Sequence, residues 1–447
     1  MKKQFQSFPS VYEATGLNLN FVSKDLLNGL QLYDEQEQSY IVGNLALNEG
    51  ISPNKLVNSS PYEIDYKLLL QAGILLASHD NNRPLAITTG FPFSTYQVYK
   101  EMALKTIQNL KHIDYNPGTY SNLERIRIKT EIQQVEILPE MIGNIIALRV
   151  GDAQATGNFF VVSLGYGTCE AVLSTENGIV HRTALSINGM QYAVDLFMRS
   201  LATKYYLGLK TEKQLDVSFR NDHIILDRQK INIVDLRRRI LERYYNDVVS
   251  TGLRKSFTDS DFERAEKIYI TGGGALFPEL IDLFEKEFDQ IAKVEVVKNP
   301  LTLTSEGYSL NSIMLTNGDE GSAIGLDLGN ANTVLTQYVG DSTEVKKKEE
   351  NKIEIHETPV TIEKIEKVEK VEKVEKVENT DTISSVIKEE TPIITEEKEK
   401  EEVKTESESL EKKEKVIAEA EKEEIANDYE KKLKSIENVD NYEPDFS

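Results

Sequence analysis

The sequence predicts an α/β protein in two halves that carries a long acidic tail, and three observations lead there. Across residues 1–340, short β-branched and aromatic runs alternate with helical patterns, the order an α/β fold produces. The second part of that body repeats the plan of the first. Beyond residue 340 the composition changes: residues 341–447 hold 34 of the chain's 74 acidic side chains and 20 of its 52 basic ones. The tail therefore supplies −14 of the total −22, and the body is an ordinary −8. A body of 340 residues exceeds what one hydrophobic core usually serves, so two domains or one two-lobed fold are expected.

Taken in order, residues 21–42 read as strands joined by turns, with the polar DEQEQ of LQLYDEQEQSYIV as a hairpin loop. A helix is expected over 64–78, a buried strand in PLAITTGFPF, and a second helix over 94–110. Residues 126–138 alternate as a strand before PEMIGNIIALRV opens a helix. The plan then repeats. FFVVSLGYGTCEAVLS and GIVHRTALS read as strands, 191–206 and 233–253 as helices, and KIYITGGGA as a strand and turn. A helix over 278–288 and a short strand, VEVV, follow.

The tail obeys different rules. From Ile362 to Val377 an apolar residue recurs every third position, a period that drifts by about 60° per repeat on a 3.6-residue helix and leaves no lasting stripe. A solvated, disordered, charge-rich segment is expected. Only Ile425, Tyr429, Leu433 and Ile436 regain a helical spacing. NYEPDFS at the end offers Tyr442 and Phe446 as anchors for a docking peptide.

Composition excludes several classes. No apolar run approaches the ~18–20 residues of a membrane span, and the longest, Leu68 to Ser78, is interrupted by Gln71. MKKQFQSFPS has no apolar segment of the kind a secretory signal needs, and the single Cys169 allows no intrachain disulfide, so a reducing cytoplasm is the expected compartment. The negative balance argues against broad binding to a phosphate backbone, and the triplet Arg237, Arg238 and Arg239 reads as a solvated helix face. Histidines at 79, 112, 181, 223 and 356 are too scattered for a metal cluster or a nucleophilic triad.

Three glycine-rich turns carry the chemistry. Gly165, Tyr166, Gly167 and Thr168 follow a buried strand, where consecutive backbone N–H groups can face an anion. AIGLDLGNANTVLTQY has the same form, with a turn through Gly329, Asn330, Ala331 and Asn332. Asp327 at that strand's end is placed to hold Mg²⁺ through water, since Mg²⁺ keeps several waters and takes few carboxylates. Gly272, Gly273 and Gly274 form a third turn before a helix, open to a flat ring or a phosphate. No P-loop or dinucleotide-binding glycine motif is present.

Together these residues resemble the actin and heat-shock ATPase superfamily, and within it the bacterial and archaeal actin-like proteins of the ParM (StbA) type. VVSLGYGTCEAV resembles that family's second phosphate motif, IGLDLGNANTVL its first, and IYITGGGA its adenosine motif. FPSVYEA resembles the third strand, TTGFPF the TGLP segment, ILPEMIGNII the first connecting segment and NPLTLTSEGYSLNSI the second connecting helix. The resemblance covers residues 1–340 and none of the tail. Its order differs: the first phosphate hairpin opens the family's chain, and here it follows the last connecting helix across GDEGS. The expected fold is thus a circularly permuted, two-lobed, ribonuclease H-like ATPase. Residues 1–145 would form a first lobe without its first hairpin, 146–303 a second lobe, 304–340 the helix and hairpin that complete the first, and 341–447 the tail.

What the resemblance implies is a nucleotide, ATP or GTP, with Mg²⁺ organised by Asp327. The turns at Gly329, Asn330, Asn332 and Thr333, and at Gly165 to Thr168, would grip the β- and γ-phosphates. Gly272 to Gly274 would back the adenosine, and Glu140 would orient or deprotonate the attacking water. Two positions depart from the family: Ser163 stands where the second motif usually begins with Asp, and Val334 where the first usually carries Lys. Nucleotide binding is therefore a firmer expectation than rapid hydrolysis. The implied function is a polymerising cytoskeletal protein that assembles on nucleotide, for plasmid or DNA segregation or cell organisation, with an adaptor or DNA-bound protein as partner. The alternative is a weakly hydrolysing scaffold of the FtsA or PilM type that recruits partners through its tail. A small-molecule kinase fits less well, because no segment offers a substrate pocket.

Overall fold

A computed structural model describes residues 1–340 apart from 56–59, 80, 82, 208–211 and 227. The readings made for residues 341–447 lie outside the described residues. Two main sheets organise the body. In the first, strand Lys2–Pro9 pairs antiparallel with Asn332–Val339, which pairs antiparallel with Ala323–Leu328, so the two ends of the body lie side by side. Leu85–Phe91 and Ile132–Pro139 then add in parallel. The second sheet has the same order: Leu185–Asn188, Thr168–Thr175 and Phe159–Leu164 antiparallel, then Lys267–Thr271 and Lys293–Val296 in parallel.

Central strands of such sheets are buried on both faces and read as unbroken apolar runs. In FFVVSL, Phe160, Val162 and Leu164 face one core with helix Gln191–Ala202, while Phe159 and Val161 face another with Met141 and Leu148 of helix Glu140–Val150. In AIGLDL, Ile324 and Leu326 join the first sheet's core beneath helix Ile64–His79. The sheets are linked by two helices, Glu140–Val150 leaving the first and Leu303–Leu315 returning to it. These helices pack with their backbones in contact at Gly143 and Gly307, where a methyl group on Gly307 would run into the Gly143 carbonyl.

A third, six-stranded antiparallel-rich sheet, from Asn54–Lys55 to Ile126–Lys129, extends the first half. It changes one expectation: residues 126–138 are two strands, Ile126–Lys129 and Ile132–Pro139, in different sheets. The buried Thr130 marks the crossing, its hydroxyl donating to the Leu110 carbonyl at 2.6 Å. GIVHRTALS likewise breaks into Gly178–Ile179, a single turn at His181–Thr183 and Leu185–Asn188. The helix expected over 191–206 stops at Ala202, and that over 233–253 passes through a π-turn at Tyr245–Ser250. Helices Asn44–Glu49 and Glu212–Arg220 and the hairpin His223–Leu226 with Gln229–Asn232 carry no sequence signal strong enough to announce them. Arg237 is not part of a solvated face: it is buried over Phe277 and pairs with Glu279 at 2.7 Å.

Candidate functional site

Both hairpins end at a single cavity of about 160 Å³ between the two main sheets. Its wall includes Gly329, Asn330 and Asn332 of one turn, Gly165, Tyr166, Gly167 and Thr168 of the other, and Gly272 and Gly273 of the third. Asp327 and Glu140 also line it. Two of the residues singled out do not. Thr333 is fully buried, its hydroxyl 3.0 Å from that of Ser10. Gly274 packs beneath the turn, where a side chain would meet Leu164 Cβ at 2.6 Å.

Each turn is propped from behind. The Ser10 hydroxyl donates to the Gly329 carbonyl at 2.5 Å and its N–H to the Ala331 carbonyl at 3.1 Å. In the other hairpin the carbonyls of Gly165, Tyr166 and Gly167 accept from the N–H groups of Met190, Gln191 and Gly189. That ties the carbonyls away, as an anion-facing turn requires. Gly272 adopts φ 82°, and a side chain there would meet the Leu164 backbone at 2.7 Å, so only glycine fits.

The acids of the cleft are all shifted toward their protonated forms. Burial raises Asp327 above the ordinary carboxylate range. Burial, then the charges of Glu170 and Asp327, raise Glu140 well above it. Glu170, on the strand behind Ser163, is raised by burial in spite of the Phe93 N–H it accepts. Carboxylates shifted this way in one cleft, beside glycine turns that present backbone N–H groups, are the donor set that a cation with a polyphosphate would relieve. On chemistry the residues present therefore fit a Mg²⁺–nucleotide, with Asp327 to hold the ion and the turns to hold phosphates. Within the cavity wall, Arg220 is the cation, and it is engaged with Asp216 at 2.6 Å.

Lys55 makes a contact that spans the halves beside the cavity. Lys55, on the short strand Asn54–Lys55, places its ammonium 3.1 Å above the Tyr166 ring and 3.1 Å from Glu212. The Tyr166 hydroxyl donates to the same Glu212 oxygen at 2.6 Å. Sequence reasoning missed Lys55, Glu212, Asp216 and Arg220, because none belongs to a glycine turn. Glu170 did have a signal, an acid inside the apolar run CEAVLS.

The fold and cleft define a class: α/β proteins whose two sheets share one plan, joined by paired helices around a ligand-sized cavity. Residues 1–143 match the family model described as actin like proteins N terminal domain. Among solved structures, a non-polymerisable quadruple mutant of pCBH ParM matches with TM-score 0.55 at 18% identity, covering 69% of this chain and 92% of that one. Ta0583, an archaeal actin homolog, matches with TM-score 0.54 at 16% identity over the same shares, 69% and 92%. A 15-stranded ParM filament from Clostridium botulinum gives 0.54, 16%, 69% and 92%. No curated protein matches the sequence. Residues 1–143 thus match an actin-like N-terminal domain, and the body shares its fold with ParM and the archaeal actin homolog. No helix among the described residues is long and apolar enough to cross a membrane.

Proposed function

We propose that the chain binds a magnesium–nucleoside triphosphate in this cleft, ATP or GTP, and assembles with copies of itself into cytoplasmic filaments in response. The observation that carries the reading is the convergence of two register-matched hairpins and the Gly272 turn on one cavity. Asp327 holds the ion through water. Gly329, Asn330 and Asn332 face the phosphates from one side, and Gly165, Tyr166, Gly167 and Thr168 from the other. Gly272 and Gly273 back the base and sugar. A bound Mg²⁺ held by Asp327 would supply positive charge that favours the anionic forms of Asp327 and Glu140. Glu140, at the start of its helix, then accepts a proton from the water that attacks the γ-phosphorus, as the bond to the bridging oxygen breaks.

The body is proposed as a permuted version of the family chain, with lobes at 1–145 and 146–303 and residues 304–340 completing the first. Support comes from the antiparallel pairing of Lys2–Pro9 with Asn332–Val339, which puts a strand from each end of the body in one sheet. Segregation of plasmid or other DNA, with an adaptor as partner and the tail peptide Tyr442 to Phe446 as its dock, is the cellular use proposed. Ser163 and Val334 favour a second reading, a slow-turnover scaffold that recruits partners. A Mg²⁺-dependent thermal shift with ATP or GTP, followed by light scattering and negative-stain imaging, tests both. No shift with either nucleotide ends the binding reading, and monomers under every nucleotide end the filament reading alone.

A further inference from the structure

Helix Glu212–Arg220 walls the cavity beside the Gly272 turn, through Asp216, Phe219 and Arg220. Residues four apart lie on one helix face, so Asp216 and Arg220 present a carboxylate and a guanidinium side by side, bonded at 2.6 Å. The wall's other acids, Asp327 and Glu140, act on each other, whereas the charge of Asp216 acts on Lys55 and Tyr166. The Asp216–Arg220 pair is thus a second charged place in the wall.

Its position is fixed. Phe219, 1% exposed, packs its ring against Phe277 at the far end of the glycine turn, with centroids 5.5 Å apart. Arg237 lies over the same Phe277 and donates to the Asn221 carbonyl at 3.1 Å, one residue past the helix. The helix end and the glycine turn are therefore held to one another, the preorganisation that selective recognition needs. Asp216 is 3% exposed, so a group it meets in the cavity is met away from bulk water.

Such a pair distinguishes purines. Along one edge guanine offers the O6 acceptor and the N1–H and 2-amino donors; adenine offers a 6-amino donor and the N1 acceptor, the reverse polarity. A carboxylate accepts from N1–H and the 2-amino group, and a guanidinium donates to O6. A guanidinium has five N–H donors, so one bond to Asp216 does not exhaust it. Against adenine, the carboxylate would face a lone pair and the guanidinium would face N–H groups, leaving desolvated polar atoms unpaired.

We propose that Asp216 and Arg220 read the base and make this cleft selective for a guanine nucleotide over an adenine nucleotide. Asp216 accepts from N1–H and the 2-amino group, and Arg220 donates to O6. This inference rests on the nucleotide-binding reading above and names its base.

The test is calorimetric titration of the full chain, in Mg²⁺, with GTP, ATP and xanthosine triphosphate. Wild type should bind GTP about tenfold or more tighter than ATP. Asp216→Asn keeps an acceptor for N1–H but sets an amide donor where guanine has its 2-amino group and xanthine a 2-oxo group. It should lose about tenfold in GTP affinity and gain in xanthosine triphosphate affinity, reversing their order. A contact to the ribose alone would leave that order unchanged, since the sugar is common to all three. Arg220→Ala, at a side chain 39% exposed that the fold can spare, should cut the preference for GTP over ATP by about tenfold. ATP binding as tight as GTP in the wild type overturns the inference. An unchanged order in a folded Asp216→Asn protein, or an unchanged preference in Arg220→Ala, does so too. A wild type that binds none of the three overturns the parent reading as well, whereas one that binds ATP alone overturns only this inference.

Discussion

The hairpins 159–175 and 323–339 face each other across the cleft with matching rungs, yet they carry different chemistry. Asp327 pairs with Val334 and Ser163 with Glu170; the next rungs are Leu328 with Thr333 and Leu164 with Cys169. The backbone plan is set by what the strands bury: Ile324, Leu326 and Leu335 on one side, Val162, Leu164 and Cys169 on the other. Nothing in that burial constrains which strand of a rung bears the carboxylate. A duplicated architecture can therefore keep its packing and redistribute its acids.

The sharpest way to break the comparison is to crowd the strand that lies beside each hairpin. Gly90 sits near the end of Leu85–Phe91, where a methyl group would run into the Leu138 carbonyl and the Tyr308 hydroxyl. Gly272 follows Lys267–Thr271, at positive φ against the Leu164 backbone. Gly90→Ala and Gly272→Ala should each cost roughly 3 kcal/mol of stability, from overpacking in the first and strain plus overpacking in the second. Urea unfolding checks this. A change below about 0.5 kcal/mol, the usual scale of surface substitutions, at either site would mean that half is not packed as described.

A smaller loss is expected from charge. Asp327→Asn removes the carboxylate on the first strand and should weaken Mg²⁺-dependent nucleotide binding by roughly tenfold or more, about 1.4 kcal/mol per factor of ten. Titration with a fluorescent nucleotide reads it. If Asp327→Asn and Glu170→Gln shift the Mg²⁺ dependence equally, the hairpins contribute symmetrically. If only Asp327→Asn does, they differ in function as well as in sequence.

These positions also show what the sequence could disclose. The three turns were legible because glycine after a buried strand has a local backbone cause, and ten turn residues do line one cavity. The strands on either side of these turns were legible because each motif keeps its apolar run. Thr333 was misplaced by a local reading: its hydroxyl is used by Ser10, more than three hundred residues away in sequence. The helix Glu212–Arg220 was hidden because its apolar face is only Leu215 and Phe219, made useful by a core assembled from elsewhere. Strand 126–138 was read as one because both of its pieces are β-formers. Only tertiary pairing places them in different sheets.

The raised acids give a pH test with a definite sign. Asp327, Glu140 and Glu170 all have folded-state pKa values above those of an unfolded carboxylate. Their stabilising contribution is therefore complete below about pH 4, the unfolded range, and is lost as pH rises through the folded values. The ligand-free protein should melt at progressively lower temperature from about pH 5 up through neutral. Glu170→Gln should flatten that slope, and Mg²⁺ with nucleotide should offset it. A melting temperature that rises over the same range in wild-type protein would show that the cleft acids are not the groups in control.

The smallest effect concerns the contact that ties the halves together beside the cavity. Lys55 is buried between Tyr166 and Glu212, and burial lowers its pKa against the opposing pull of Glu212. Burial alone would raise Glu212, but the Tyr166 hydroxyl and Lys55 outweigh it and leave the carboxyl below its ordinary value. Part of the Coulombic gain is thus spent on desolvation, and a pair whose Glu212 side chain is 36% exposed, with one cation–π contact, should contribute only about 1 kcal/mol. Lys55→Ala and Glu212→Gln should each cost about that much, and the double variant should cost less than their sum, because both remove the same link. Urea unfolding of the four proteins gives the coupling. Strict additivity would show that Lys55 does not reach across to Glu212.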